Sequence, residues 1–224
     1  MQNDSLNIPV KDFLQKLKLF SFGFLTPIII LFILYFGSPL FLIGGTEWKK
    51  SETLILEIRS PVSEKQIQIA ADILKKKRAE NMLIIFDESF LSNHSIGMSA
   101  NYISDVQSAI VKAGILEDKF FLLKINSSKL PPTTNTIQET AKYLLKTSVK
   151  SVIIQAGEFE SNRVYLSYRS VLHPLGIQVS VYPEKGKYTS TNWFSSEEGI
   201  ELVTKELVKY IYYTIRGNHH VFRK

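Results

Sequence analysis

The chain of 224 residues contains no cysteine. That excludes a disulfide framework, thiolate metal ligands and a cysteine nucleophile. Histidine is scarce, and two of the four form the pair His219 and His220 in the closing stretch GNHHVFRK. Zinc needs three or four converging ligands, so the pair reads as a polar terminus and no metal site is expected. His173 precedes Pro174 and reads as a surface or capping residue at a helix end. His94 is the one histidine placed for acid–base work. The sequence has no G-x-G-x-x-G and no G-x-x-x-x-G-K-[ST], so neither nucleotide fingerprint is present and no cofactor is implied. It has no G-x-S-x-G elbow and no H-E-x-x-H.

The net charge is +6, but the cations are spread thinly. Their densest run, Lys75, Lys76, Lys77 and Arg78, lies late in a predicted helix, where cations suit the helix dipole. It reads as a solvated face. No interleaving of basic and aromatic residues suits single-stranded nucleic acid, and a nucleic-acid partner is not expected.

Charge is missing altogether between Lys18 and Glu47. About 20 apolar residues cross a bilayer as a helix, and residues 19–43 exceed that length. Membrane helices tolerate a proline such as Pro27, while Pro39 can mark the exit. A cleaved signal peptide has a shorter apolar core followed by small residues of the A-x-A kind, which this stretch lacks. The expectation is a tail over residues 1–18, a transmembrane helix over 19–43 anchoring the chain in a lipid bilayer, one domain over 46–217 and a short tail over 218–224. Lys11, Lys16 and Lys18 precede the span, and Lys49 and Lys50 follow it. The bias of three to two favours a cytoplasmic tail with the domain outside, and the other orientation stays open.

Beyond residue 46 short apolar runs alternate with helix-period segments. Strands are expected at 52–58, 81–87, 119–125, 150–156 and 177–183. Helices are expected at 62–79, 99–113, 134–147, 161–172 and 196–216. The first helix would turn Ile67, Ala70, Ala71 and Leu74 inward, and the second Ile103, Val106, Ile110 and Val111, with Gly114 as its cap. The last would bury a stripe of Ile200, Val203, Leu207, Ile211 and Ile215. Such alternation predicts an α/β domain: a Rossmann-like, doubly wound, mainly parallel five-stranded sheet.

Ligands of such sheets bind beyond the carboxyl ends of the strands. That edge would gather Arg59 after the first strand, Asp87 after the second, and Glu160 with Arg163 after the fourth. Asp87 and Glu88 can serve a metal or act as a base, or can simply end the strand. Arg163 and Glu160 can hold an anion, or form a helix-surface ion pair three residues apart. Trp193 reads as a core plug, and Tyr210, Tyr212 and Tyr213 as helix packing rather than a carbohydrate platform.

The segment TNTIQETAKYLLKTSVKSVIIQAGEFESNRVYLSYRSVLHPLGIQVSVYP, followed by NWFSSEEGIELVTKELVKYIYYTIRG, resembles the ElyC/SanA/YdcF-like family of bacterial domains of unknown function. Thr136 and Glu139 stand at the family's Thr-x-x-Glu-Ala helix start, and Arg163 at its loop arginine. Trp193, Gly199, Glu206 and Lys209 stand in its closing motif. The resemblance covers residues 52–217. It implies a Rossmann-like fold, often behind one membrane helix, and a role in cell-envelope or peptidoglycan metabolism. It also implies binding roles for Thr136, Glu139 and Arg163. The sequence departs from the family where its glycine-rich loop is replaced by Arg59, Ser60 and Pro61. Gln66 replaces an arginine, and Glu160 falls near the family histidine.

Two readings follow. In one, an anchored envelope enzyme acts on an anionic or phosphorylated small molecule. Arg163 grips the anion, Glu160 is the acid or base, and Thr136 and Glu139 shape the pocket. In the other, a catalytically silent relative keeps fold and anchor and serves as a binding or scaffold protein.

Overall fold

The computed structural model describes residues 7–44, 50–58, 62–87, 98–125 and 132–216. They divide into two compact units, the first ending at Leu40 and the second beginning at Phe41.

The first unit is dominated by a single helix, α1 (Asn7–Phe36). Its portion Gln15–Phe36, 22 residues, is long and apolar enough to cross a membrane. At 1.5 Å per residue it spans about 33 Å, close to the hydrocarbon thickness of a bilayer. Pro27 lies inside the helix. The helix closes where Gly37 N–H donates to Ile33 O (2.8 Å) and Ser38 N–H to Tyr35 O (3.1 Å). Pro39 opens a separate four-residue turn, α2 (Pro39–Leu42). Within the expected span of 19–43 the continuous helix ends at Phe36, and residues 39–42 form the separate turn α2.

The second unit alternates as the sequence pattern requires. In chain order it contains β1 (Thr53–Ile58), α3 (Glu64–Lys75), β2 (Asn81–Asp87), α4 (Met98–Lys112), β3 (Phe120–Ile125) and α5 (Pro132–Lys146). There follow β4 (Ser151–Gly157), α6 (Ser161–Leu172), β5 (Gln178–Glu184) and α7 (Glu197–Ile215). The five strands are all parallel, in the order β3-β2-β1-β4-β5. This is the doubly wound, Rossmann-like arrangement, and the strand order reverses between β1 and β4.

The strand pleat divides the core between the two faces. Leu54, Leu56 and Ile58 of β1 pack with Ile67, Ala70, Ala71 and Ile73 of α3 and with Val106 and Ile110 of α4. Ile55 points the other way, to Ile137, Ala141 and Leu144 of α5 and Val164, Tyr168 and Leu172 of α6. Ser63 and Gln66 form a reciprocal capping box that starts α3, with Gln66 N–H on Ser63 Oγ (3.2 Å) and Ser63 N–H on Gln66 Oε1 (3.0 Å). Gly114 ends α4 at φ +88°, a left-handed conformation that favours glycine. The run Lys75, Lys76, Lys77 and Arg78 is exposed.

Three inward assignments differ from the expected pattern. Val111 is exposed, because it lies about 100° round the helix from buried Ile110. In α3, Ile73 is buried where Leu74 was expected, and Leu74 is half-buried. In α7 the inward face consists of Gly199, Val203, Glu206 and Tyr213. Ile200, Ile211 and Ile215, expected inward, are exposed, and Leu207 is half-buried. The helix is rotated so that Gly199 meets the backbone of Trp193 and Glu206 meets Arg163.

Candidate functional site

The reversal between β1 and β4 marks the carboxyl edge of the sheet as the place to look for a ligand. A cleft of about 260 Å³ opens there beside β4 and β5. Its walls include Gln66 at the start of α3, residues 157–160 at and after the end of β4, and Glu184, Lys187 and Tyr188 at and after the end of β5. Leu202 and Glu206 of α7 complete it. Gln155 lies beneath, buried in β4. Its Nε2 donates to Gln66 O (3.0 Å) and to Glu184 Oε2 (3.1 Å), so one amide links α3, β4 and β5.

Beside the cleft lies a compact charge cluster. Glu160 Oε1 accepts the Gly157 N–H (2.8 Å), and Glu160 Oε2 meets Arg163 Nη2 at 3.3 Å. Arg163 is 2 % exposed. Its Nε donates to Glu206 Oε2 (3.0 Å), and its Nη2 lies 3.0 Å from the same oxygen. Lys209 Nζ reaches Glu206 Oε1 at 2.6 Å. The guanidinium also sits 5.7 Å from the centre of the Tyr213 ring. Two cations and two carboxylates therefore neutralise one another. A buried guanidinium is stable only when its charge and donors are matched in this way. Both oxygens of Glu160 are engaged, one as a backbone cap and one on Arg163.

The remaining expected residues do not gather here. Thr136 is buried within α5, and its carbonyl accepts the hydroxyl of Thr140 (2.7 Å). Glu139, on the same helix, pairs with Lys142 at 2.7 Å. Neither residue lines the cleft, and α5 packs on the face of the sheet opposite α3. Asp87 is buried at the end of β2, separated from β4 by β1. Arg59 and His94 lie outside the described residues. Trp193 is buried as a core plug, and Phe194 beside it is half exposed. Among the described residues, no three His, Asp or Glu side chains are grouped to hold a metal ion.

Residue pattern alone missed the partners of two acids, Glu57 in the sheet and Glu206 at the cleft. Glu57 sits in a central strand otherwise made of buried residues, and its carboxylate accepts the hydroxyl of buried Tyr168. Glu206, in the segment that resembles the family's closing motif, is buried on Arg163. Its signal was its place among Val203, Tyr210 and Tyr213 on one helical face: an acid in an apolar stripe asks for a buried cation.

The entry to α7 beside the cleft is set by charge. Ser196 Oγ accepts the Gly199 N–H (3.1 Å), and Tyr188 OH donates to Glu198 Oε2 (3.1 Å). The carboxyl of Glu198 is held below the usual carboxylate range. The largest cause is a hydrogen bond from its own backbone N–H, followed by Tyr188, Ser196 and the charge of Lys187. A depressed folded-state value means that this contribution is fully present above the unfolded value and is lost as pH falls through the folded one. An NMR titration is expected to place the Glu198 midpoint below that of an unfolded-peptide reference, and Tyr188→Phe is expected to move it back upward.

No family model, curated protein or solved structure matches this chain. By fold it belongs to the class of doubly wound α/β domains, here preceded by one N-terminal helix long and apolar enough to span a membrane.

Proposed function

We propose that this chain is a binding or scaffold protein of the bacterial cell envelope. Its apolar helix anchors it in the cytoplasmic membrane, and its α/β domain lies on the extracytoplasmic side. The cleft beside β4 and β5 takes a polar ligand without turning it over. The envelope assignment rests on the ElyC/SanA/YdcF-like resemblance, and the orientation rests on the lysine bias around the span.

One observation carries the choice of binding over catalysis. Arg163 is neutralised by carboxylates of the protein itself, and Glu160 has both oxygens engaged. An anion gripped by Arg163 would have to displace Glu206 from a buried pair. A proton moved by Glu160 would cost the Gly157 cap or the arginine contact. The cleft instead presents Glu158 and Glu184, with Lys187 and Tyr188 on the stretch that follows β5. Carboxylates accept hydrogen bonds, so the fitting ligand is rich in hydroxyl or amino groups, as sugars and amino sugars are.

The test is a melting-temperature survey of the full chain in detergent against amino sugars, phosphorylated sugars, nucleotides, lipid-carrier head groups and divalent metals. A ligand at a hundred times its Kd stabilises the native state by about 2.7 kcal/mol. The expected result is a shift with a donor-rich sugar that is lost in Glu184→Gln, with the ligand recovered unchanged. Consumption of a phosphorylated compound, abolished by Glu160→Gln, would establish the enzyme reading instead.

A further inference from the structure

The helix α7 presents a second apolar surface to solvent. At 3.6 residues per turn, Ile200, Val208, Ile211 and Ile215 fall within about a quarter turn of one another. All four are exposed, Ile215 at 80 %. Next to this stripe comes half-exposed Tyr212, and beyond it a ridge of Lys205, Lys209 and Arg216 within about 40°. Arg216 lies over the Tyr212 ring at 4.8 Å. From Glu201 onward the sequence carries five cations, Lys205, Lys209, Arg216, Arg223 and Lys224, against Glu201, which pairs with Lys205, and Glu206. Glu206 is turned inward onto Arg163. Apolar stripe, tyrosine and basic flank together make the pattern of a helix that lies in a membrane interface.

A second observation concerns where α7 is held. Phe41 and Gly44 follow the apolar helix closely in sequence, and both are bound by the first turn of α6. Asn162 Nδ2 donates to Phe41 O (2.6 Å), and Gly44 N–H donates to Ser161 Oγ (3.0 Å). The next residue, Arg163, holds Glu206 of α7 and lies against Tyr213. The first turn of α6 thus binds residues 41–44 and, through Arg163, the inward face of α7.

We propose that the outward face of α7, from Val208 to Ile215, is a second membrane contact that rests on an anionic phospholipid surface. Val208, Ile211 and Ile215 enter the headgroup–acyl boundary, and Arg216, joined by the exposed Lys205, meets lipid phosphates. Anionic lipid is the occupant favoured over a second copy of the chain, because a cationic ridge meeting its own copy repels itself. The inference rests on the anchor reading given above, and the experiment separates the two.

The absence of cysteine allows single labels on the full chain. Cysteine is introduced at Ile30 in α1, at Val208 or Ile215 in α7, and at Lys146 as an outlying control. Each variant carries an environment-sensitive fluorophore. The protein is reconstituted into phosphatidylcholine vesicles with or without phosphatidylglycerol, including lipids that bear a quencher. Labels at 208 and 215 are expected to be quenched by lipid, more strongly with phosphatidylglycerol and less in high salt. The label at 146 is expected to stay unquenched. Adding Ile211→Glu is expected to abolish quenching at 215 without changing the melting temperature, since Ile211 is exposed. Quenching at 30 but not at 208 or 215 overturns the inference and leaves the anchor intact. Shielding of 208 and 215 from aqueous iodide that depends on protein concentration and not on lipid overturns it in favour of a second copy. No quenching at 30 overturns the anchor reading and this inference together.

Discussion

Arg163→Ala is expected to lower the stability of the α/β domain by about 3–5 kcal/mol, the cost of removing one partner from a buried ion pair. Most of that loss comes from what remains. Glu206 is 5 % exposed, and among the described residues Lys209 is the counter-charge it keeps without Arg163. Glu160 loses one contact but retains the Gly157 N–H. Glu160→Gln is therefore expected to cost much less than Arg163→Ala, because Glu160 is partly exposed and its pair with Arg163 is the longer one at 3.3 Å. Urea unfolding followed by circular dichroism separates the two variants. If Arg163 were instead held ready for an external anion, its removal would leave stability nearly unchanged and abolish binding.

The second large effect is expected at the start of α7. Trp193 is 1 % exposed, and its ring meets Phe194 edge to face at 5.9 Å. Trp193→Ala is expected to cost about 3–5 kcal/mol, as large aromatic truncations in a core do. Gly199 tests the same packing from the other side. A Cβ at that position would lie 2.1 Å from the carbonyl oxygen of Trp193, a backbone atom. Alanine is favoured over glycine within a helix by about 1 kcal/mol, so a bland site would be stabilised by Gly199→Ala. Here the variant is expected to be destabilised by about 1–3 kcal/mol, because the turn must move to admit the methyl. Phe194→Ala, at a half-exposed side chain, is the control with a small effect. An unchanged urea midpoint for Gly199→Ala would contradict the close approach.

The strands and most helices were legible because local pattern and burial agree. NMLIIFD and KSVIIQA, apolar at their centres, suit strands covered on both faces, and they became β2 and, shifted by one residue to Ser151–Gly157, β4. Ser161–Leu172 was expected and found with the same ends. The orientation of α7 was not legible. Its sequence carries apolar residues on two adjoining faces, and periodicity alone cannot say which one a sheet will cover. The choice was made by Gly199 and Glu206, whose partners Trp193 and Arg163 lie elsewhere in the chain. Arg163 shows the same limit. Its spacing of three from Glu160 was visible, and the ion pair exists. Its burial and its bond to Glu206, 43 residues onward, were not visible, so a guanidinium engaged within the protein looked like one free for a ligand.

The charge cluster beside the cleft holds the fold together and leaves Arg163 no free face for an external anion. The most direct measurement is a double-substitution cycle between Arg163 and Glu206, using Arg163→Met and Glu206→Leu alone and combined, followed by urea unfolding. Each single substitution is expected to be strongly destabilising and the combined variant to regain most of the loss, since apolar side chains can replace a buried pair when both charges go. Additive losses in the combined variant, or single substitutions that leave the unfolding curve where it was, would contradict this expectation.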